Sequence, residues 1–478
     1  MASISNQPYK NDAHIDAIVK TLRDGGHLLC SNLVASSKAF VVEETFRQIG
    51  GQHLIVCTDK EDAAYFYNDL ESLLNERGMD YSKKQVLFYP TSYKRPYEPE
   101  KADNTYILSR TEVLQRVSTS ERKTLIVSYP EALSEKVFTR KLLAKNTFKI
   151  KVGDKINLDF LTDLLYEYEF ESVDFVVEPG QFAIRGGLVD VFSFANDYPY
   201  RIEFFGDEVD SIRSFNIADQ LSIEKLKQIV LLPNMQERAF IEEREAILQY
   251  LPDTTTVWLT DMAFFATQVD KEYDRAVEAF EKMQEQDEEV KVLKPGQLFS
   301  KSDELLDCLK KRRTVEFGVS SKLEPTSPID SSSPTSLCGN DMGDGNCQLT
   351  TVQFHTKPQP IFSKNFTLLI DDIAEHKEEG YRIIVFSESS KQLSRIQAIL
   401  NDINHNDELH RDFETETIAI HGGFIDEDLK VCCYTDHQIF ERYHRFHLRD
   451  NFSTKQAITL KDLYELKPGD YVTHIAHG

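Results

Sequence analysis

The sequence predicts an α/β protein: a parallel-sheet body interrupted by an inserted antiparallel β-rich domain and followed by a second, smaller α/β domain. Three observations carry this. From residue 12 to about 145, short apolar strand-like runs alternate with helical periods, the pattern of a parallel sheet covered on both faces. Between about 150 and 232 the texture changes to period-two runs punctuated by turn residues, an antiparallel meander. The α/β texture then returns, so the meander interrupts the body as an insert.

In chain order, Ile15, Ile18, Val19 and Leu22 predict an amphipathic helix that stops at Gly25-Gly26. A strand follows at 27–30, a helix over 37–49 ended by Gly50-Gly51, a strand at 53–57 and a helix over 60–74. Strands at 86–89 and 124–128 bracket a helix near 106–117. The meander runs through 172–177, 181–185, 188–192, 201–205 and 209–215, with turns at Pro179-Gly180, Gly186-Gly187, Asn196-Asp197 and Gly206-Asp207. Beyond it come strand-like 228–232, a helix over 242–250 and a strand at 255–260. The stretch 318–349 is rich in Ser, Pro, Gly and Asp and reads as a flexible insert. A compact αβ block follows: helix 367–378, strand 382–387, helix 391–400 and strands 417–420 and 429–434. The last strand-like run, 471–475 after Pro468-Gly469, ends without a partner strand, which predicts that the chain is part of a larger protein.

The 478 residues are 41% hydrophobic and 28% charged, enough for buried cores, so disorder as a whole-chain description is excluded. The formal net charge of −24 repels phosphate backbones, so any contact with DNA must be local. The N-terminus lacks the apolar core of a signal peptide, and no run approaches the ~18 apolar residues that span a bilayer. Of seven cysteines, Cys30 and Cys57 sit in apolar strand-like runs, as reduced thiols do, which points to the cytoplasm.

A RecA-like α/β pattern raises the question of phosphate binding, and the turn after the first strand is the place to ask it. Laid on G-x-x-x-x-G-K-[ST], the lysine matches at Lys38. Asn32 and Ser37 replace the glycines and Ala39 the Mg²⁺-holding hydroxyl, so a degenerate, inactive nucleotide site is expected. The second signature, an apolar strand ending in Asp-Glu, finds only Asp261 followed by Met262, and Asp261 reads more simply as a strand-end turn or helix cap. Cys338 and Cys347, and the adjacent Cys432-Cys433, lack zinc-ligand spacing, and no metal site is expected. No nucleophile–base grouping stands out, so no catalytic residue is assigned. The run Lys310-Lys311-Arg312-Arg313 reads as the solvated end of a helix.

The meander carries the best functional signal. Alternation places Ile202 and Phe204 on one face and Arg201, Glu203 and Phe205 on the other, and it puts Arg185 on that second, polar face, where it could lie beside Arg201. Exposed arginine and phenylalanine are typical interface anchors. A salt-bridged sheet face with Phe205 at a hairpin end fits the pattern equally well.

At this point a resemblance enters. The stretch 175–192, with Glu178-Pro179-Gly180-Gln181 and Arg185-Gly186-Gly187-Leu188-Val189-Asp190, and the stretch 198–213, with Tyr200-Arg201-Ile202-Glu203-Phe204-Phe205-Gly206-Asp207, resemble the second domain of the bacterial transcription-repair coupling factors (Mfd). The related repair protein UvrB shares this pattern. Phe88-Tyr89-Pro90, Tyr97-Glu98 and Ser109-Arg110 resemble the first domain, and 466–478 the opening of the RNA-polymerase-interacting module. The resemblance implies domains at 1–147 and 234–364 (two parts of one UvrB-like body), 148–233 (the UvrA-binding insert), 365–455 and 456–478. It also implies a non-hydrolysing scaffold that recruits UvrA in nucleotide excision repair. Its UvrA contact is carried over to Arg185, Arg201 and Phe205. The complete family protein is an ATP-dependent DNA translocase that displaces stalled RNA polymerase. Its ATP and Mg²⁺ would be bound beyond Gly478, and no cofactor is expected here. The rival is an ATP-dependent nucleic-acid translocase or helicase domain active on its own.

Overall fold

A computed structural model describes residues 8–79, 83–93, 95–97, 104–119, 123–194, 198–232, 244–286, 293–318, 350–403 and 413–442. The flexible stretch expected over 318–349, apart from Gly318, and the strand expected at 471–475 lie outside the described residues, as do Cys338 and Cys347.

Seven parallel strands form the body, in the order Thr350–Gln353, His27–Ser31, Thr314–Gly318, Thr256–Leu259, Gln52–Val56, Thr124–Ser128 and Val86–Phe88. Strands buried on both faces read as continuous apolar runs, and Thr124–Ser128 is buried at every position. Local chemistry sets the helices between them. Asp12 accepts from the backbone N–H groups of His14 and Ile15 to start Ala13–Arg23, whose Ile15, Ile18, Val19 and Leu22 are buried. Asp59 caps Lys60–Leu73 in the same way.

One imidazole is built into this core. Trp258 Nε1 donates to His53 Nδ1 at 3.1 Å, and His53 Nε2 lies 3.1 Å from Gly50 O. Burial pushes the His53 pKa down to about 3, so the ring is neutral, with its proton on Nε2.

The insert is a six-stranded sheet in the order Ser222–Leu226, Glu208–Phe215, Tyr200–Phe205, Leu188–Val191, Gln181–Arg185 and Glu171–Ser172. All its pairings are antiparallel except the last. One face, with Phe182, Val189, Val191, Ile202, Phe204 and Ile212, packs on Leu161 and Leu165 of the helix Leu158–Glu167. The architecture is therefore mixed α/β, with a parallel sheet and separate antiparallel sheets.

Several expected elements differ. The run at 228–232 does not rejoin the body sheet. Gln228–Leu231 pairs antiparallel with Phe148–Lys151, and Ile150 and Ile229 enter the insert core. Of the strand expected at 172–177 only Ser172 is strand, in the short pair Glu171–Ser172, because Val176 folds over the sheet onto Ala183 and Phe192. Of the helix expected over 242–250, residues 242–243 lie outside the described residues, Arg244–Glu245 is strand paired with Val137–Phe138, and Ile247–Tyr250 is helix. Residues 417–420 are not strand. The short strand there is Glu414–Glu416, and the apolar side chain of Ile420 packs into the body core instead of continuing the ladder. Arg312 is no solvated helix end either. It is buried, with Nη1 donating to Cys308 O (2.8 Å) and Nη2 to Leu248 O (2.6 Å) and Leu251 O (3.0 Å).

The smaller sheet runs Thr356–Pro358, Phe424–Asp426, Val431–Thr435, Arg382–Phe386 and Glu414–Glu416. The adjacent Cys432 and Cys433 face opposite ways, Cys432 into this unit's own core and Cys433 into the body core. Phe40 of the body lies between Phe424 (5.5 Å between centroids) and Phe386 (6.0 Å). Tyr9 closes the joint, donating to Asp426 Oδ2 at 2.6 Å. Because Phe40 packs against both units, Phe40→Ala should cost about 3–5 kcal/mol and lower the urea midpoint of body and small unit together. Tryptophan fluorescence, which reports Trp258, and far-ultraviolet circular dichroism would check this in one titration.

Candidate functional site

The outer face of the six-stranded sheet is organised by a carboxylate. Asp190 lies on the central strand Leu188–Val191, opposite Ala183 on one side and Arg201 on the other, and is 1% exposed. Arg201 donates to it through both Nε (2.7 Å to Oδ1) and Nη2 (2.8 Å to Oδ2). Arg185, one pleat along on the neighbouring strand, pairs with Oδ2 as well. Arg201 also donates from Nη2 to Gln220 Oε1 (3.0 Å) and stacks over the Phe215 ring at 4.2 Å. Arg185 stacks over Phe175 at 5.3 Å. Its hydrogen bonds to Asp190 raise the pKa of Arg201 above its ordinary value and hold its charge. Glu203, on the same face, is occupied by Ser211 (3.0 Å) and Arg213 (3.5 Å).

Phe205 lies at the end of this strand and is 84% exposed. Two tight turns meet here. Gly186 carries φ +64°, a value that strains other residues, and a Cβ on Gly187 would stand 2.9 Å from Phe204 O. That close approach lets Phe204 N–H donate to Gly187 O at 2.7 Å, which brings the Arg185 turn beside Phe205. The structure thus brings Arg185, Arg201 and Phe205 to one face: two arginines held by a shared carboxylate, and one aromatic ring left in solvent. Residue alternation alone misses Asp190. Its signal was an acid inside the apolar strand Leu188-Val189-Asp190-Val191, on the parity opposite to both valines.

The turn after the first strand is filled by protein. Asn32 and Ala35 hold φ of 63° and 49°. Val34 N–H donates to Thr356 Oγ1 (3.0 Å) and to Ser37 Oγ (3.0 Å), and Thr356 Oγ1 donates to Asn32 O (2.6 Å). Ser36 N–H donates to Gly422 O (3.2 Å), and Gly422 N–H to Ser36 Oγ (2.9 Å). Ala39 is buried in the body core, and the Lys38 ammonium lies 5.6 Å over the Phe317 ring. At the other strand end, Asp261 caps the helix Met262–Gln286, accepting from Phe264 N–H at 2.6 Å.

Below this turn, the buried Asp69 accepts from Ser36 Oγ (2.6 Å) and from His421 N–H (2.6 Å). Desolvation raises its pKa to about 7, against the two hydrogen bonds that lower it.

The described cysteines, Cys30, Cys57, Cys308, Cys432 and Cys433, are unpaired and buried. Among the described residues no group of three or more His, Cys, Asp or Glu side chains could hold a metal ion, and no helix is long and apolar enough to cross a membrane.

Two predictions follow from these geometries. Asp190→Ala strands two arginines, one of them largely buried. It should destabilise the chain by about 3 kcal/mol, the low end for a broken buried pair because Arg185 can swing into solvent; thermal unfolding would measure it. Asp69 binds its proton more tightly folded than unfolded. Its contribution to stability is therefore full below about pH 3.9 and lost as pH rises through about 7. Relative to Asp69→Asn, the parent chain should lose urea stability between pH 5 and pH 8.

Comparison with known proteins adds sequence relationships to this geometry. The family model described as the UvrB interaction domain matches residues 148–236, the stretch that holds the outer face. A transcription-repair-coupling factor of Escherichia coli (strain K12) is 27% identical over 212 residues, covering 44% of this chain and 18% of that protein. The one of Bacillus subtilis (strain 168) is 23% identical over 521 residues, covering 98% of this chain and 43% of its own. The one of Haemophilus influenzae is 23% identical over 512 residues, covering 95% and 41%. The chain spans less than half the length of these curated relatives. The family resemblance carried by 175–192 and 198–213 falls inside the matched segment and is supported at that level.

Proposed function

We propose that this chain is the UvrB-like module of a transcription-repair coupling factor, and that it recruits UvrA in the cytoplasm through Arg185, Arg201 and Phe205. The observation that carries this is the exposed ring of Phe205 beside two arginines held by Asp190, within the segment similar to a UvrB interaction domain. A large ring left in water next to oriented guanidinium groups is the composition of an interface hot spot. The shared carboxylate pre-organises the arginines, so less side-chain freedom is lost on binding. In this proposal the recruiting domain is the insert 148–233, carried on a RecA-like body of residues 1–147 and 234–364, with 365–455 as a separate small domain and 456–478 as the start of a polymerase-facing one. RNA polymerase and DNA would be engaged through the remaining length of the full protein.

The body serves as a scaffold that does not hydrolyse ATP. Two features support this. The backbone N–H groups of Val34 and Ser36, which a phosphate loop would aim at a nucleotide, already donate to Thr356 and Gly422. Ala39 supplies no hydroxyl for Mg²⁺.

Titrating UvrA into the chain tests both halves, with ATP hydrolysis by the chain alone followed in parallel. Phe205→Ala is the cleanest variant, because a ring 84% exposed contributes little to folding. It should cost about 2 kcal/mol of binding, roughly a thirtyfold loss, with an unchanged melting temperature. Arg201→Ala should lose as much binding and some stability, because Asp190 is left buried. Wild-type affinity in Phe205→Ala, or ATP turnover by the chain alone, would return the body to consideration as a working motor domain.

A further inference from the structure

Positive charge is concentrated in one place on this acidic chain. Residues 136–155 contain Lys136, Arg140, Lys141, Lys145, Lys149, Lys151 and Lys155 against a single acid, Asp154, whereas the whole chain carries −24. Two of the seven serve the fold: Lys136 pairs with Glu304 at 3.1 Å, and Arg140 donates to Tyr250 O from Nε at 3.0 Å. Lys155 bridges backbone to backbone with Glu208 and faces that acid. Lys141, Lys145, Lys149 and Lys151 are exposed and form no ion pair among the described residues.

The fold spaces these four. Lys141 and Lys145 are four residues apart on the helix Arg140–Lys145 and so share a face. Two residues later the chain enters the strand Phe148–Lys151, whose Ile150 is buried in the insert core, so alternation turns Lys149 and Lys151 outward. Their cross-strand partners are the uncharged Val230 and Gln228. Val152 N–H donates to Lys227 O at 3.0 Å, which sets a fifth exposed lysine beside Lys151. Neighbouring cations are about 6–7 Å apart along helix or strand.

We infer that this lysine band, at the junction of the body and the β-rich insert, is a docking strip for the phosphate backbone of duplex DNA, separate from the Arg185–Arg201–Phe205 face. Three physical points favour that partner. The Debye length is about 8 Å at physiological salt, so acids elsewhere on the chain are screened and the local potential of the band is positive. Duplex DNA carries one charge per ~1.7 Å, so cations spaced at 6–7 Å find phosphates in any register and need no sequence. All five cations are lysines, the residue that protein interfaces deplete while enriching arginine.

The test uses the 478-residue chain and a fluorescein-labelled 20-base-pair duplex of arbitrary sequence, followed by anisotropy from 50 to 200 mM KCl. Binding should weaken with salt at a log–log slope between about −3.6 and −4.5, the release expected for four or five phosphate contacts. Reversing Lys141, Lys145, Lys149 and Lys151 together to Glu should cut affinity at least tenfold at 50 mM KCl. Lys310→Glu with Lys311→Glu should leave it unchanged. Should the fourfold variant melt below the parent, the pairs Lys141→Gln/Lys145→Gln and Lys149→Gln/Lys151→Gln serve instead, each reducing the slope by about 2. No duplex binding at 50 mM KCl, salt-independent binding, or parental binding by these variants would overturn the inference. Tighter binding of polyglutamate would assign the band to an acidic protein, and tighter binding of phosphatidylserine vesicles would assign it to a membrane; either also overturns it.

Discussion

The docking of the small α/β unit on the body's first strand-to-helix turn is the contact on which most of this architecture depends. Ser36 N–H donates to Gly422 O and Gly422 N–H donates back to Ser36 Oγ, and a Cβ on Gly422 would meet that of Ala35 at 2.9 Å, so the two segments lie in close backbone approach. Asp69 ties the underside, and the Tyr9–Phe40–Phe424 aromatic joint seals the side. The same contact brings Phe386, Ile420, Phe424 and Cys433 of the small unit into the body core, while that unit keeps a core of its own, and it occupies the backbone N–H groups of Val34 and Ser36.

The β-rich insert stands apart from that joint. Its own core lies on one face of the six-stranded sheet, against the helix Leu158–Glu167. The other face is divided: part, at Ala183 and Phe192, is covered by Val176, and part is polar around Asp190. One buried carboxylate serving two arginines converts what could be two mobile cations into a fixed pair. Phe205, in the last ladder pair opposite Glu208, has no such restraint on its ring, which is left exposed. An interface and a salt-bridged sheet face, equally consistent with the residue pattern, prove to be compatible: the ion pairs hold the arginines in place while the aromatic projects.

Charge follows the same division of labour. The chain as a whole is acidic, while exposed lysines without an ion pair among the described residues gather where it passes from body to insert. Cations elsewhere that read as solvated can be structural. Arg312 sits under three backbone carbonyls because helix and loop ends leave acceptors that a planar guanidinium can satisfy together.

Local periodicity by itself determined the alternating body, the meander and the outward parity of Arg185, Arg201 and Phe205, because side-chain direction in helices and strands depends only on neighbours within a turn or a pleat. Helix 37–49 and strand 124–128 could be read to the residue for that reason. Tertiary structure alone decided where apolar runs without a local partner go. Ile420 enters the core of another unit and is no strand, Gln228–Leu231 pairs across some eighty residues with Phe148–Lys151, and Val176 folds over its own sheet. It also decided that Asp190 should hold two arginines and Gly422 should fill the turn at Ser36, since both depend on contacts between segments far apart in the chain, where composition and spacing carry no record of distance.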